Sequence, residues 1–331
     1  MNDNMNKIII TGSTGHIGNN LIRCLLNEYP SVSIKLLLRR IKDSAIDEFD
    51  VEKVVGNLMD DEFLNSEIEE GSVVVHSAGL IDVTNKQIDE MEKINNVLTK
   101  KLVDICIAKK VSKFIYISSV DAIYKESGEL ISEPMLFYPD KLKSNYGKSK
   151  AKATEYVLDK INKKELVGTI IYPSAVIGPF DYKVSSIGQV LVDNIHNRIM
   201  ARLKGKYNFI DVRDLSKAIC HCIFNEVSAS YLITGEVVTI DELFVIINKK
   251  LGKKKLPIKL PFWLIMFFAN FMPLYYKLRG VKPVFTKFAL KTLNSNCNYD
   301  NTKAKNELNL VVRPVEESIN DAIDWFMTNN Y

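Results

Sequence analysis

A glycine-rich turn directly after a short apolar run near the N-terminus constrains the fold of this chain more than any other feature. Residues 7–10 read KIII, the turn reads TGSTGHIG, and a helix is predicted to start inside it. Glycines at such a junction allow a tight turn and a close approach to a pyrophosphate, while the helix N-terminus supplies unpaired N–H groups. The pattern predicts a dinucleotide cradle lined by Gly12, Ser13, Thr14, Gly15, His16, Ile17 and Gly18.

Short β-branched runs alternate with longer amphipathic stretches in the first half of the chain. This alternation is typical of βα units around a buried parallel sheet. It predicts strands at 7–10, 33–38, 52–55, 73–76, 113–118 and 167–172, and helices at 17–28, 88–109 and 148–161. Six strands with helical crossovers indicate an α/β fold with a doubly wound parallel sheet of the Rossmann type, whose ligand lies beyond the carboxyl ends of the strands.

The alternation ends after Gly178, where helical stretches are separated by loops rich in glycine, proline and lysine. Helices are predicted at 187–199, 212–224, 240–251 and 314–328, with a last strand near 231–233. We expect residues 1–178, with about 207–234, to form the NAD(P)-binding domain. Residues 179–206 and 235–331 are then expected to form a smaller, mostly helical substrate-binding lobe.

Composition and charge argue against several classes of protein. The 331 residues are 47% apolar and carry a net charge of +4 without a dense basic block, which disfavours nucleic acid as a partner. The five cysteines form no CxxC pair and no Cys/His cluster, so no metal site is expected and a reducing, cytoplasmic location is predicted. The N-terminus lacks the apolar core of a signal peptide, and the longest apolar run, 261–269, is too short to span a membrane.

A tyrosine and a lysine four residues apart, Tyr146 and Lys150 in YGKSK, are predicted on one face at the start of a helix. A neighbouring ammonium favours the phenolate, which suits this pair to acid/base work between a carbinol and a carbonyl. The strand at 113–118 ends in Ser118 and Ser119, and a hydroxyl there can hold a substrate oxygen. Two serines after a strand also serve as an ordinary turn or cap, and it is the Tyr/Lys pair that favours the catalytic interpretation.

The end of the second predicted strand indicates which cofactor is bound. An acidic residue there binds the ribose hydroxyl of NAD, whereas an arginine accommodates the 2′-phosphate of NADP. This strand ends in Arg39 and Arg40 without a carboxylate, so NADP is the preferred cofactor and NAD the alternative. Alternatively, both arginines lie in solvent and Asp43 or Asp47 reaches back to the ribose.

The GxxGxxG spacing, the preceding Thr11 and the Ser/Tyr/Lys set resemble the extended short-chain dehydrogenase/reductase family, also called the NAD-dependent epimerase/dehydratase superfamily. The resemblance covers almost the whole chain. It implies that Ser119 is the catalytic serine, Tyr146 the acid/base, and Lys150 its activator and a ribose ligand. It also implies that Asn95, in KINNVL, supports a proton relay, although Asn96 is adjacent.

Three further segments are similar to cofactor-binding segments of that family, namely GNL at 56–58, HSAG at 76–79 and YPSAVIGP at 172–179. The chain departs from the family at two of these positions, with Asn57 in place of the usual Asp and Tyr172 in place of the usual Arg. The resemblance implies cofactor contacts from Asn57, Leu58, Ser77, Ala78, Gly79, Pro173 and Val176.

The substrate is indicated less directly. The PSAVIGP segment, the lack of Thr-Asp-Glu after the serines, and an aromatic-rich segment at 257–278 resemble the 3β-hydroxysteroid dehydrogenase and dihydroflavonol-4-reductase-like branch. This resemblance implies an oxidoreductase that interconverts a ketone and a secondary alcohol on an apolar substrate, in a homodimer. The alternatives are a nucleotide-sugar epimerase or dehydratase, and an NADP-binding regulatory protein. The aromatic segment could line the substrate pocket, fill a core or dimer contact, or touch a membrane surface.

Overall fold

The computed structural model describes residues 7–40, 43–82, 87–126, 128–134, 136–199, 201–227, 229–261 and 295–331. Its strands are β1 Ile8–Thr11, β2 Ile34–Leu38, β3 Glu52–Val55, β4 Val73–His76, β5 Lys113–Ile117, β6 Gly168–Pro173, β7 Ala175–Ile177, β8 Ala201–Arg202, β9 Lys206–Asp211, β10 Ser230–Ile233, β11 Glu236–Thr239 and β12 Ile258–Lys259. Its α-helices are α1 His16–Glu28, α2 Asp61–Glu67, α3 Ile88–Glu92, α4 Leu98–Ala108, α5 Asn145–Asn162, α6 Ser186–Ile195, α7 Val212–Phe224, α8 Ile240–Lys250, α9 Thr302–Glu307 and α10 Val315–Thr328. A π-helical turn, Lys93–Val97, joins α3 to α4, and short 3-10 turns span Val120–Ala122 and Pro139–Lys141.

Seven of the described strands form one parallel sheet in the order β3-β2-β1-β4-β5-β6-β10. The winding direction reverses between β1 and β4, which pair side by side with Thr11 opposite His76. A ligand of such a sheet binds at this switch point, beyond the carboxyl ends of the strands. The order confirms the predicted doubly wound sheet, and it brings the glycine turn after β1 next to the HSAG segment after β4.

Helices cover both faces of the parallel sheet, because alternate residues of its central strands point in opposite directions. In β1, Ile8 and Ile10 pack into a core cluster with α1 and α7, while Ile9 packs into a second cluster with α4 and α5. All three isoleucines are fully buried. A buried strand of this kind reads as a continuous apolar run, which is why KIII was recognisable in the sequence.

A second, three-stranded sheet, β11-β9-β7, was not predicted. Helices α6, α8 and α10 pack against it around a separate apolar cluster. The strand β9 mixes polar and apolar residues in KYNFID, and β7 follows β6 after one intervening residue, so neither gives a clear signal. The predicted end of the helix 187–199 is four residues too late, since α6 ends at Ile195 and Asn197 takes a left-handed conformation.

The boundaries of the two predicted domains stay a prediction. Of the aromatic-rich segment 257–278, only residues 257–261 are described, and residues 262–278 lie outside the described residues. The assignments of that segment to a substrate pocket, a core or a membrane surface therefore stay predictions. No helix among the described residues combines the length and the apolar character that a membrane span requires.

Candidate active site

The glycine turn packs so closely against its neighbours that side chains are excluded at two positions. Gly12 has a φ of +76°, and a Cβ there would lie 2.4 Å from the backbone nitrogen of Ala78. A Cβ on Gly18 would lie 2.4 Å from the carbonyl oxygen of Gly12. Ser77 holds the two loops together, since its N–H and its Oγ both donate to the carbonyl of Thr11, at 3.2 and 2.8 Å.

The start of α1 is arranged to receive an anion. Helix α1 begins at His16, its N-cap is Gly15 without a capping side chain, and its first turn holds no acidic residue. The first N–H groups of a helix carry positive potential when no side chain caps them. The Ser13 hydroxyl is buried and has no hydrogen-bond partner among the described residues. These features fit the pyrophosphate of a dinucleotide, whose oxygens would accept from the turn.

A buried hydrogen-bond chain behind the turn was missed by sequence reasoning. Thr11 Oγ1 lies 2.7 Å from His76 Nδ1, and His76 Nε2 lies 3.0 Å from Thr99 Oγ1. Thr99 donates its own proton to the carbonyl of Asn95, at 2.8 Å. Nε2 must therefore be the protonated nitrogen of His76, and Nδ1 accepts from Thr11. These hydrogen bonds connect the glycine turn to the π-helical turn that carries Asn95.

Full burial and the charge of Lys150 lower the pKa of His76 to about 3, so this imidazole stays neutral at physiological pH. In the unfolded chain a histidine takes up a proton near pH 6.5. Below that pH the unfolded state binds the extra proton, and we expect the free energy of unfolding to fall by up to about 1.4 kcal/mol per pH unit towards pH 3.

Denaturant unfolding of the parent and of His76→Gln across this pH range measures the effect. Glutamine does not titrate, so the variant is expected to be less stable at neutral pH but to lose stability less steeply on acidification. Equal slopes for the two proteins would contradict this role of His76.

The structure brings Ser119, Tyr146 and Lys150 together. Ser119 follows β5 and its hydroxyl accepts from the Asp121 N–H at 3.1 Å, while Tyr146 lies in the first turn of α5. The two side chains are within hydrogen-bonding reach of each other. The start of α5 can lie this close to the segment after β5 only with glycine at position 147, because a Cβ on Gly147 would lie 2.5 Å from the carbonyl oxygen of Asp121.

Lys150 lies one helical turn beyond Tyr146 and is 4% exposed. Its ammonium donates to the carbonyl of Ile117 at 2.8 Å and lies 4.8 Å from the centre of the Tyr116 ring. Burial lowers the pKa of Lys150 to about 7, which places its titration near neutral pH. Ionisable groups with pKa values this far from normal are common at functional sites.

The stabilisation of the Tyr146 phenolate by Lys150 stays a prediction, because the pKa of Tyr146 is raised and burial is the largest cause of that shift. Burial and the negative charge of Asp121 raise the pKa of Tyr146, and the hydrogen bond with Ser119 opposes them only in part. Desolvation is the largest cause of the pKa shift of Tyr146 and of Lys150, and it favours the neutral form of each group. Tyr146 is therefore a neutral phenol. Asp121 was not singled out from the sequence, because nothing in SSVDAIY indicates that its charge faces Tyr146.

Asn95 lies in the π-helical turn between α3 and α4 and is fully buried. Its side chain exchanges two hydrogen bonds of 2.8 Å with the backbone of Leu80 and donates to Ser149 Oγ at 3.1 Å. The neighbouring Asn96 bonds Glu92 instead, at 2.8 Å. A Cβ on Gly79 would lie 3.4 Å from Asn95 Oδ1 and 3.5 Å from Lys150 Nζ. The side chains of Asn95 and Lys150 therefore both lie against Gly79. Of the two asparagines, Asn95 is the one beside Lys150, and π-turns are often found at functional sites.

The remaining predicted cofactor residues lie around the carboxyl edge of the parallel sheet. Arg39 and Arg40 follow β2 and are exposed. In the turn after β3, Leu58 is buried, and the side chain of Asn57 accepts a hydrogen bond from the Met59 N–H. Pro173 ends β6 and Val176 lies in β7. Their contacts with a cofactor stay a prediction.

The two carboxylates considered as ribose ligands have other partners. Asp43 accepts from the Ala45 N–H at 3.2 Å and pairs with Lys183 at 3.7 Å, and Asp47 accepts from the Asp43 N–H at 3.4 Å. Among the described residues, no cluster of histidine, cysteine, aspartate and glutamate is suited to hold a metal ion.

Comparison with known proteins gives matches along most of the chain. Residues 8–233 match the model of the family described as "NAD dependent epimerase/dehydratase family". The chain is 26% identical over 323 residues to sterol demethylase protein B of Methylococcus capsulatus, covering 96% of this chain and 97% of that protein. It is 29% identical over 246 residues to 3beta-hydroxysteroid-dehydrogenase/decarboxylase isoform 1 of Arabidopsis thaliana, covering 69% and 56%. The crystal structure of gox2253 superimposes with a TM-score of 0.83 at 27% identity, over 98% of each chain.

Proposed function

Because this chain belongs to the NAD-dependent epimerase/dehydratase family, we propose that it interconverts a ketone and a secondary alcohol on an apolar, sterol-like substrate, with NADP as the preferred cofactor. The family and its relatives confirm the prediction of an NAD(P)-dependent enzyme of this type that acts on a small molecule. The choice of NADP, the substrate and the role of each residue are proposals. So are the homodimer and the cytoplasmic location.

The observation that carries the proposal is that Ser119 lies beside Tyr146, while Lys150, one turn further along α5, lies against Gly79 and so close to the glycine turn. Bound NADPH would supply the hydride for reduction of a carbonyl carbon. The neutral phenol of Tyr146 donates its proton to the carbonyl oxygen, and in the reverse direction the phenolate takes it back. Ser119 donates a second hydrogen bond to that oxygen. When Lys150 is charged, its ammonium favours loss of the proton from the phenol.

Tyr146 is in its acid form at neutral pH, which reduction of a carbonyl requires, although its raised pKa also makes the phenol a weaker proton donor. The relatives' names support a sterol-like skeleton, since one is called a sterol demethylase and another a 3β-hydroxysteroid dehydrogenase/decarboxylase. The many aromatic residues at 257–278 are consistent with a ligand that is bound mainly by burial of apolar surface.

A nucleotide-sugar epimerase is the second candidate, and one observation favours it. A cleft of about 340 Å³ beside β9 and β11 is lined by Lys204, Lys206 and Lys259. Three ammonium groups would suit a diphosphate, although Lys259 already pairs with Asp241 at 2.6 Å. Net consumption of cofactor distinguishes the candidates, because an epimerase returns the hydride to its substrate.

The test is an assay of the parent with NADPH and either a panel of ketosteroids and other apolar ketones or a panel of nucleotide sugars. Stoichiometric oxidation of NADPH with an apolar ketone is the expected result. Epimerisation of a nucleotide sugar without net oxidation, and no turnover of any ketone, would overturn the proposal in favour of the second candidate.

Cofactor preference gives a further prediction. Replacing Arg39 and Arg40 together by glutamine is expected to weaken NADPH binding at least tenfold, since a hydrogen bond to a charged group contributes roughly 1.5–3 kcal/mol. NADH binding should change little, because NADH has no 2′-phosphate. Fluorescence titration of both cofactors measures this, and equal affinity of the parent for NADPH and NADH would contradict it.

A further inference from the structure

A lysine outside the glycine turn reaches into the dinucleotide cradle. Lys183, between β7 and α6, donates from its ammonium to the hydroxyl of Thr14, in the middle of the glycine turn. Its ammonium also lies 3.7 Å from a carboxylate oxygen of Asp43. Lys183 therefore bridges the turn after β1 and the segment after β2.

Two arginines add positive charge in the neighbourhood of this bridge. Arg39 and Arg40 lie close enough to Lys183 for their charges to help lower its pKa, together with burial, while Asp43 acts in the opposite direction. Asp47 accepts from the Asp43 N–H, so two carboxylates lie near these three cations and one net positive charge remains. Such a cluster is stabilised by an anion, and a phosphate accepts several charge-assisted hydrogen bonds at once.

Tyr182, directly before Lys183, is held by contacts with several parts of the chain. The hydroxyl of the preceding Tyr182 accepts from Arg23 of α1 at 3.2 Å and donates to Glu48 at 3.3 Å, while its carbonyl accepts from the Tyr331 hydroxyl at 3.1 Å. The Tyr182 ring also packs edge to face against Trp325 of α10, with the centroids 5.0 Å apart. The backbone next to Lys183 is thus fixed by contacts that do not depend on a ligand.

We infer that Lys183 binds a phosphate of the dinucleotide, as a third cation beside Arg39 and Arg40. The inference rests on the dinucleotide site of the proposed function. The phosphate is either the 2′-phosphate of NADP or the pyrophosphate common to NAD and NADP, because Lys183 lies between the places expected for the two. Asp43 competes with the phosphate for the same ammonium.

Calorimetric titration of the full chain with 2′,5′-ADP, ADP, NADPH and NADH tests the inference. Lys183→Gln is expected to weaken binding roughly tenfold or more, whereas Lys183→Arg keeps most of the affinity. A loss confined to 2′,5′-ADP and NADPH assigns the 2′-phosphate, whereas an equal loss with ADP, NADH and NADPH assigns the pyrophosphate, which 2′,5′-ADP lacks. Asp43→Asn is expected to bind the same nucleotides roughly threefold more tightly, since it removes the competing charge.

Two measurements separate a phosphate contact from a structural role of Lys183. The salt dependence of binding should be shallower for Lys183→Gln, because one cation fewer faces the phosphate. The matched control is Lys217→Gln, which removes an exposed lysine that pairs with Glu28 at the far end of α1, and it should bind like the parent.

Unchanged affinity and unchanged salt dependence in Lys183→Gln would overturn the inference while leaving the proposed function intact. A parent that binds none of the four nucleotides would overturn both the cofactor site and the role of Lys183. Ketone turnover plays no part in these titrations, so an error in the proposed substrate cannot produce either result.

Discussion

Replacing Tyr146 by phenylalanine is expected to abolish ketone reduction while leaving the fold and the binding of NADPH in place. The change removes the only group proposed to donate a proton to the carbonyl oxygen. A positioned general acid contributes roughly 10²–10⁴-fold to the rate, so turnover should fall by about that factor. Steady-state kinetics with a turned-over ketone, together with an NADPH titration, measure the two effects.

The matched control is Tyr156→Phe, which makes the same chemical change on the same helix. The hydroxyl of Tyr156 donates to Asp104 on the outer face of α5, far along the helix from the glycine turn. The control should keep the activity of the parent. Unchanged turnover in Tyr146→Phe would contradict the proposed acid, and a parallel loss in both variants would indicate a general effect on α5.

Replacing Gly12 by alanine is expected to have the second large effect, on both stability and nucleotide binding. The φ of +76° is unfavourable for alanine by roughly 1–2 kcal/mol. The added Cβ would also lie 2.4 Å from the backbone of Ala78, which belongs to a neighbouring strand end and cannot turn aside like a flexible side chain. The turn must therefore shift away from its place between β1 and the start of α1. We expect loss of measurable NADPH binding.

Gly252→Ala separates the two causes. Gly252 has a φ of +65°, but nothing lies within 4 Å of the position of its Cβ. The Gly252→Ala variant should lose only the part of the free energy of unfolding that the positive φ costs, and it should bind NADPH like the parent. Denaturant unfolding and NADPH titration of both variants measure the difference, and equal losses of stability with intact binding in Gly12→Ala would contradict the close packing of the turn.

The parallel sheet could be predicted from the sequence because its central strands are buried on both faces. Runs such as KIII and SVVVH therefore contain three consecutive apolar residues, and the alternation of such runs with helices indicates a doubly wound parallel sheet. The strands β7, β9 and β11 could not be predicted, because β9 and β11 mix polar and apolar residues, β7 has only three residues, and the three pair only with one another. Their hydrogen bonds depend on contacts between distant segments, which local patterns do not reveal.

The candidate site was also predictable only where its residues are neighbours in the sequence. Tyr146 and Lys150 were found because they are neighbours on one helix, and the structure places Ser119 beside them. The role of His76 between Thr11 and Thr99 was not found, because its partners lie 65 and 23 residues away along the chain. The contact of Lys183 with Thr14, across 169 residues, was missed for the same reason. The raised pKa of Tyr146 was also not anticipated, since the burial of both groups cannot be read from their spacing.

Transfer of deuterium from NADPH labelled at the transferable position tests the central claim most directly. The parent is incubated with an apolar ketone that it consumes, and the product alcohol is analysed by mass spectrometry. The account predicts one deuterium on the carbinol carbon for each NADPH oxidised, and its near absence with Tyr146→Phe. Alcohol formed without the label, or NADPH that remains unoxidised with every ketone while a nucleotide sugar is epimerised, would contradict it.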